Sequence, residues 1–223
     1  MEEGVIVEGG LEGHGGGAEG TLPDTERWAY DIGNGVDGWG NGQLEFDTNR
    51  PENVALDGAG NLVITARKES FGGKAYTSAR IKTQGLYATQ YGRIEARIQL
   101  PVGRGVWPAF WMLGADIPEV GWPQSGEIDI MEYRGQEPST VHGTLHGPGY
   151  SGGSPITRRF RLPDGVTFDD DFHVFAVEWD PSRISFWVDD EAYQIVTSSQ
   201  VQAKYFNTYD CRIFRLVWLF SLP

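Results

Sequence analysis

The sequence is poor in cysteine and in basic residues. Its 223 residues include a single cysteine, Cys211, so an internal disulfide is excluded and bridges say nothing about the redox compartment. Lysine and arginine together number 18 against 31 acidic residues, which gives a formal net charge of −13. We therefore expect neither nucleic acid nor a membrane surface as a partner, because both require basic patches. A neutral substrate is expected over a polyanionic one.

Membrane spans, export signals and helical periodicity are also missing. The most apolar stretch, Ile213 to Leu222, is interrupted by Arg215 and is shorter than the roughly 18 residues that a membrane helix needs. The first residues lack a basic region, an apolar core and a small-residue cleavage site, so we expect no encoded secretory signal. No segment combines a 3.6-residue period with helix caps, which argues against a helical fold.

The chain is instead rich in glycine, aromatic residues and short alternating segments. It contains 31 Gly, 11 Phe, 9 Tyr and 8 Trp, which suits a turn-rich β-sandwich better than a helical bundle. Short alternating runs separated by turn residues begin at Trp28. We predict one all-β domain over residues 21–203, an antiparallel two-sheet sandwich or jelly roll. Residues 1–20, rich in Gly and Glu, are expected to be disordered, and residues 204–223 to form an atypical tail.

The segment Gly126 to Tyr133 carries the strongest functional signal. It places Glu127, Asp129 and Glu132 in an otherwise apolar run that is typical of a β-strand. Alternation puts Glu127 and Asp129 on one face and Glu132 on the other, unless a β-bulge adds one residue and returns Glu132 to the first face. Two glutamates held about 5–5.5 Å apart suit a retaining glycosidase, one as nucleophile and one as acid/base. The alternative is an edge strand with solvated acids, which the neighbouring Trp-rich strand and the following Gly/His/Tyr-rich loops disfavour.

Tryptophans near this strand are candidate sugar-binding residues. Trp107 and Trp111 share one face of the segment Val106 to Leu113, so they either line a cleft as platforms for sugar rings or pack in a core. Because Phe110 and Met112 would share the opposite face, we favour the cleft. Trp122 is expected in a loop, either as part of the cleft rim or as a loop anchor.

Polar candidates are less specific. His142 and His146 would point the same way on a strand; a metal pair is disfavoured, and His146 is either a cleft residue that orients substrate or a structural residue. Arg80 could donate forked hydrogen bonds to sugar hydroxyls or form a salt bridge on the sheet surface. Asn41 and Asn53 are turn-type residues first and sugar ligands second. We expect no metal and no cofactor.

These segments resemble glycoside hydrolase family 16, in its laminarinase-like, endo-β-1,3-glucanase branch. Gly126 to Glu132 is similar to the family's E-x-D-x-x-E catalytic signature, and the resemblance covers most of the chain from Trp28 to about Thr197. Further similar segments are Trp39 to Asn41, Tyr91 to Arg97, Trp107 to Trp111 and His142 to Tyr150. The resemblance implies a concanavalin-like β-jelly roll with an open cleft across its concave sheet.

The resemblance also implies residue roles and a substrate. Glu127 matches the nucleophile, Glu132 the acid/base and Asp129 the helper carboxylate of an endo-acting hydrolase of β-1,3-glucan, which could also accept mixed-linkage glucan. Positions similar to the cleft lining are Trp107, Trp111, Arg80 and His146. The implied partner is a neutral polysaccharide, the enzyme is expected to be a monomer, and secretion is implied although no signal is encoded.

Both ends depart from the family pattern. Residues 1–20 lack the family's opening strand, and the sequence after about Ala203 lacks its closing strands. We therefore expect a jelly roll without its terminal strands, from a truncated or frame-disrupted reading of a longer gene. Other functions stay open: a transglycosylase, a hydrolase of another polysaccharide such as a galactan, a non-catalytic carbohydrate-binding sandwich, or an inactive fragment.

Overall fold

A computed structural model describes residues 2–8, 22–201 and 215–221, which are mainly β-strands and connecting turns. The strands are β1 Glu2–Glu8, β2 Ala29–Asp31, β3 Glu45–Asp47, β4 Val54–Leu56, β5 Asn61–Arg67, β6 Tyr76–Ser78, β7 Arg80–Lys82, β8 Gly92–Gln99, β9 Trp107–Leu113, β10 Glu127–Tyr133, β11 Thr140–His146, β12 Ile156–Arg161, β13 His173–Trp179, β14 Arg183–Val188, β15 Glu191–Thr197 and β16 Arg215–Ser221. A helical turn at Gly38–Gly42 and a short helix, α1 Ile117–Val120, complete the described elements. Within these ranges no helix has the length and apolar character needed to cross a membrane.

The strands form two sheets. The larger sheet has nine strands in the order β15-β14-β13-β8-β1-β5-β6-β3, with β4 paired to β5 outside that path. The smaller sheet has seven strands in the order β12-β11-β10-β9-β16-β7-β2. Neighbouring strands pair antiparallel, apart from the parallel pair of β3 and β6. The predicted all-β sandwich is confirmed.

The core lies between the sheets because each strand turns one row of apolar side chains inward. Ile98 of β8 and Phe175 of β13 enter it from the larger sheet, and Phe110 of β9 and Tyr133 of β10 enter it from the smaller one. All four are completely buried. With its apolar row committed to the core, the smaller sheet can carry polar and aromatic side chains on its outer face, and the candidate site lies there.

Both ends of the chain contribute strands, which corrects the expectation of missing terminal strands. β1 lies between β5 and β8 and pairs with both, so the expected disorder is wrong for residues 2–8. β16 lies between β9 and β7, so residues 215–221 of the expected tail belong to the smaller sheet. The rest of residues 1–20, and residues 204–214 and 222–223, lie outside the described residues. β1 and β16 are short runs that become strands by pairing with segments far away in sequence. A local sequence pattern does not reveal such partners.

A substitution at Val7 tests the position of β1 between β5 and β8. Its side chain is buried, and it lies opposite Leu62 of β5 and Ile98 of β8. We expect Val7→Ala to lower the free energy of unfolding by about 2 kcal/mol, because two buried methyl groups are lost and a cavity remains. The measurement is urea denaturation, with Val63→Ala on the half-buried face of β5 as the matched control. A Val7→Ala loss no larger than that of the control would contradict this placement.

Candidate active site

The three carboxylates of β10 share one face because the strand contains a bulge. Pairing of β10 with β11 keeps one register from Glu127 to Asp129 and shifts before Glu132, and pairing with β9 shifts in the same place. Within the bulge, Ile130 and Met131 are both buried in the core. One extra residue therefore returns Glu132 to the face that carries Glu127 and Asp129, as hypothesised from the sequence.

These carboxylates lie in an open cleft of about 820 Å³ that crosses the smaller sheet. Other lining residues are Arg80 on β7, Trp107 and Trp111 on β9, His142, Thr144 and His146 on β11, and Thr157 on β12. Trp107 and Trp111 thus face the cleft, while Phe110 and Met112 belong to the core, as the alternation predicts. A groove lined by residues of five strands can hold an extended chain rather than a single small molecule.

Asp129 and Glu127 are joined by a side-chain hydrogen bond. Burial is the main reason that the pKa of Asp129 lies well above its ordinary value, followed by the charges of Glu127 and Glu132 and by a hydrogen bond with Glu127. Burial, and then the charge of Glu132, also raises the pKa of Glu127 to about 7, although the hydrogen bond with Asp129 lowers it. It follows that Asp129 is the proton donor in this hydrogen bond and that Glu127 is the first of the two to ionise.

Glu132 holds its proton more weakly than burial alone would dictate. Burial raises the pKa of Glu132, whereas its hydrogen bond with Thr144 and the positive charge of Arg134 lower it. The Thr144 hydroxyl donates to Glu132 Oε2 at 3.2 Å. A hydrogen bond with Trp107 lowers this pKa as well. A carboxyl with a raised pKa that also accepts hydrogen bonds in its charged form is suited to give up a proton and take it back.

Trp122 and His146 flank the nucleophile candidate. The indole Nε1 of Trp122 donates to Glu127 Oε2 at 3.1 Å, and its ring lies 5.8 Å from the ring of His146. Nε2 of His146 lies 3.5 Å from Asp129 Oδ2 and 3.8 Å from Glu127 Oε1. Burial lowers the pKa of His146, so the imidazole is neutral at neutral pH. Trp122 is 46% exposed, which identifies it as part of the cleft rim.

Glu127, Asp129 and His146 are also the group in the described part of the chain that could hold a cation. One donor atom of each lies within 4.8 Å of the others. Metal binding requires deprotonated carboxylates, whereas burial raises the pKa of both acids and a proton joins them. We retain the prediction that the site works without a metal.

A stack of aromatic and charged groups forms one wall of the cleft. The Arg80 guanidinium lies 4.9 Å from the ring centre of Trp39 and 4.9 Å from that of Trp111. Its Nε donates to Asp31 Oδ2 at 3.0 Å, and the Trp39 Nε1 donates to Asp47 Oδ2 at 2.9 Å. Arg80 therefore forms a salt bridge and lines the cleft, so the two interpretations of this residue do not exclude each other.

Asn53 does not reach the cleft, and its prediction as a sugar ligand is wrong. It is completely buried beside β4. Its amide nitrogen donates to the Thr65 carbonyl at 3.1 Å and to Thr77 Oγ1 at 2.9 Å, and its Oδ1 accepts from Thr48 Oγ1 at 2.6 Å. These bonds connect β5 and β6 to the preceding turn, so the side chain has a structural task.

Two further cleft residues, Trp39 and Gln43, were not predicted as site residues, whereas Asn41 was predicted as a turn residue first and a sugar ligand second. Trp39, Asn41 and Gln43 line the cleft from the helical turn and the residue that follows it. Asp37 and Trp39 have positive φ values of 50° and 57°, so the turn is tightly wound. A Gly-rich turn is typical of a loop that only connects two strands. The resemblance of Trp39 to Asn41 to a family segment was the sign that this turn could also line the cleft.

Comparison with known proteins gives a single answer. The model of the glycosyl hydrolases family 16 matches residues 42–219. The chain belongs to this family. A beta-glucanase of Rhodothermus marinus is 46% identical to this family 16 chain over 177 residues, which are 77% of the chain and 60% of that relative. A glucan endo-1,3-beta-glucosidase A1 of Niallia circulans is 37% identical over 197 residues, 81% of the chain and 28% of that relative.

A solved structure gives the same result for the fold. The endo-beta-1,3-glucanase of Pyrococcus furiosus superimposes with a TM-score of 0.82 at 46% identity, covering 92% of this chain and 81% of that one. The predicted jelly roll of family 16 is thereby confirmed. The chain spans less than two thirds of the length of the Rhodothermus and Niallia relatives, so the activity of those whole proteins does not transfer directly.

Asp47, which holds Trp39 in this family 16 cleft, gives a pH-dependent test of the wall. Burial, and then the charge of the equally buried Glu45, raises the pKa of Asp47 to about 8. An unfolded aspartate has a pKa of about 3.9. The folded chain therefore binds this proton more tightly between about pH 4 and pH 8, and the contribution to the free energy of unfolding falls as pH rises through that window.

Asp47→Asn keeps an acceptor for the Trp39 indole but cannot ionise. We expect the free energy of unfolding of the variant, relative to wild type, to increase between about pH 5 and pH 8, as measured by urea denaturation at each pH. Curves that run parallel for the two proteins across this range would contradict the assignment.

Proposed function

We propose that this chain is a retaining, endo-acting glycosidase that cleaves β-1,3-glucan of the laminarin type, with mixed-linkage β-glucan as a further substrate. The observation that carries the proposal is the bulge in β10, which presents Glu127, Asp129 and Glu132 together in one cleft. Burial of three adjacent carboxyl groups is costly for a fold, and groups with raised pKa values in a cleft are typical of catalytic sites.

The proposed reaction consists of two displacements. In the first, a carboxylate oxygen of Glu127 attacks the anomeric carbon while Glu132 gives its proton to the glycosidic oxygen, so the bond to the leaving sugar breaks as an ester to Glu127 forms. In the second, Glu132, now a carboxylate, removes a proton from water, and the water oxygen displaces Glu127 from the anomeric carbon. Two inversions leave the configuration at that carbon unchanged.

Neighbouring groups are placed to support these roles. The hydrogen bonds from Asp129 and Trp122 stabilise Glu127 as a carboxylate, the form that attacks. Burial raises the pKa of Glu132 and so favours its neutral form, the form that donates. One site thus contains a glutamate whose charged form is favoured by two hydrogen bonds and a second glutamate whose neutral form is favoured by burial, the combination that glycoside hydrolysis requires.

The substrate class is supported by the relatives and by the shape of the cleft. The relatives reported above are named as a beta-glucanase, a glucan endo-1,3-beta-glucosidase and an endo-beta-1,3-glucanase. A groove lined from β7 to β12 admits the interior of a chain, which suits endo cleavage. We infer that the enzyme acts as a monomer on polysaccharide outside the cell, with neither nucleic acid nor membrane as a partner.

Reducing-sugar release from laminarin tests the function. We expect release by wild type and a loss of at least about a thousandfold in kcat for Glu127→Gln, because the amide cannot form the glycosyl ester. Full activity in the Glu127→Gln variant would refute the mechanism. No release from wild-type protein that unfolds cooperatively would favour another glycan or a binding role.

The role of Glu132 is tested with an aryl β-laminaribioside, a substrate whose activated aryl alcohol is the leaving group. Glu132→Ala is expected to retain the first step, because that leaving group needs no proton, and to be accelerated by azide, which attacks the glycosyl-enzyme without a base. The checked product is a β-glycosyl azide. Glu127→Gln treated with azide is the control and should give no such product.

Arg134 makes the pH profile testable. Because its charge lowers the pKa of Glu132, Arg134→Gln should raise that pKa and keep the proton donor neutral to higher pH. We expect the alkaline limb of the kcat/KM profile on laminarin to move to higher pH, with the acid limb unchanged. Arg158→Gln, a charge-matched change at an exposed position of β12, is the control. A shift of the same size in both variants would contradict the role of Arg134.

A further inference from the structure

The catalytic cleft continues towards β12 as a region that we call the β12 arm, formed by Arg134, His142, Arg159 and Arg161. Glu132 lies opposite His142 of β11, and His142 lies opposite Arg159 of β12. Side chains directly opposite each other in antiparallel strands point to the same face. Since Glu132 and His142 line the cleft, Arg159 extends the same row, about 10 Å in backbone position from the acid/base.

A second concavity extends this arm at the edge of the sheet. Its volume is about 320 Å³, and Arg159 and Arg161 line it together with Thr140 and Glu137. Arg161 lies opposite Thr140, one row of side chains further along β12 from Arg159. The arm therefore offers guanidinium groups at two successive positions, with Arg134 of the catalytic strand's end lining the adjacent part of the cleft.

The arginines of this arm are largely unneutralised. Within the described part of the chain, neither Arg134 nor Arg159 has an ion-pair partner. Arg161 contacts Asp164 at 3.4 Å, but both side chains are mostly exposed, so this pair is weak. Glu137 is the acidic residue in the lining of the concavity. Burial and the nearby Arg134 charge lower the pKa of His142, so the imidazole adds no charge at neutral pH.

The opposite end of the cleft, near β7, is built differently. There Arg80 and Lys82 both contact Asp31, so the two cations share one buried carboxylate. Arg80 is further enclosed between two indoles. That end presents aromatic faces and a fixed, paired guanidinium, whereas the β12 arm presents an Arg159 without an ion pair among the described residues and an Arg161 with only a weak, exposed one.

We propose that the β12 arm binds an anionic group, a carboxylate or a sulfate ester, carried by the glucan chain. The guanidinium fork matches both anions in two parallel hydrogen bonds, which it cannot do with a lone hydroxyl. The inference rests on the proposed function, because it assigns a substituent to the substrate of that same site. It locates selectivity for charged glucans at Arg159 and Arg161.

Protection of a sheet edge is a competing reason for arginines on β12, because β12 is the terminal strand and charged side chains there discourage pairing between copies. That reason applies equally to Arg158, which follows the opposite side-chain direction and lies beside Arg159 in sequence. Arg158 is therefore a matched control: it shares the strand, the charge and the exposure, but it is not in the row of Glu132.

The experiment compares kcat/KM on laminarin with kcat/KM on laminarin that carries a low degree of carboxymethyl or sulfate substitution. The full chain is assayed as wild type, Arg159→Gln, Arg159→Gln/Arg161→Gln and Arg158→Gln. The quantity of interest is the ratio of the anionic to the neutral substrate, which cancels losses common to both. We expect this ratio to fall about fivefold in Arg159→Gln and about tenfold in the double variant, with Arg158→Gln within about twofold of wild type.

A ratio unchanged in the double variant would overturn the proposal, and so would an equal fall in Arg158→Gln, which would indicate a general charge effect. A fall with only one of the two anions would support the proposal and identify the anion. If neither wild type nor any variant cleaves laminarin, the result contradicts the proposed function and not the anion site. Calorimetric binding of the anionic laminarins to wild type and to the double variant then decides the inference separately, with equal affinities overturning it.

Discussion

A β-strand presents every second side chain to one face, so carboxylates at positions i, i+2 and i+5 can share a face only where the strand breaks that alternation. The break in β10 falls between Asp129 and Glu132, and it is seen in the pairing with both neighbouring strands. Without it Glu132 would point into the core. The grouping of the three carboxylates therefore depends on one extra residue, and the core stays apolar at the bulge because Ile130 and Met131 are both apolar and both buried.

Three adjacent carboxylates repel one another when all are ionised. Their surroundings reduce this repulsion because they give the three groups different pKa values. Burial raises the pKa of all three, and each added charge makes the next ionisation harder. Asp129, the most enclosed, keeps its proton and donates to Glu127, while Thr144 and Arg134 moderate Glu132. Burial thus raises the pKa of both glutamates and lowers stability at high pH, while the hydrogen bonds from Trp122 and Asp129 favour the charged form of Glu127, the form that its separate role requires.

The features that the sequence predicted correctly are those defined by local periodicity. The alternation around Trp107 and Trp111 predicted both indoles outside the core, and the apolar context of Glu127 predicted the strand whose carboxylates line the cleft. Asn53 was misassigned because a turn residue has the same local signature whether its amide enters the core or the cleft. The terminal strands could not be predicted for a related reason: β1 becomes a strand by pairing with β5 and β8, more than 50 residues further along the chain.

Net charge is another property of the sequence that does not show how the fold arranges individual residues. A value of −13 predicts a neutral substrate, since long-range repulsion disfavours anions. Screening, however, confines such effects to about 8 Å at physiological salt, so a bound chain responds to the groups within one or two sugar rings of it. Along this cleft those groups change from a paired Arg80 at β7, through the acids of β10, to the unpaired Arg159 at β12. The order of charges along the groove, which folding alone creates, therefore bears on substrate choice more directly than their sum.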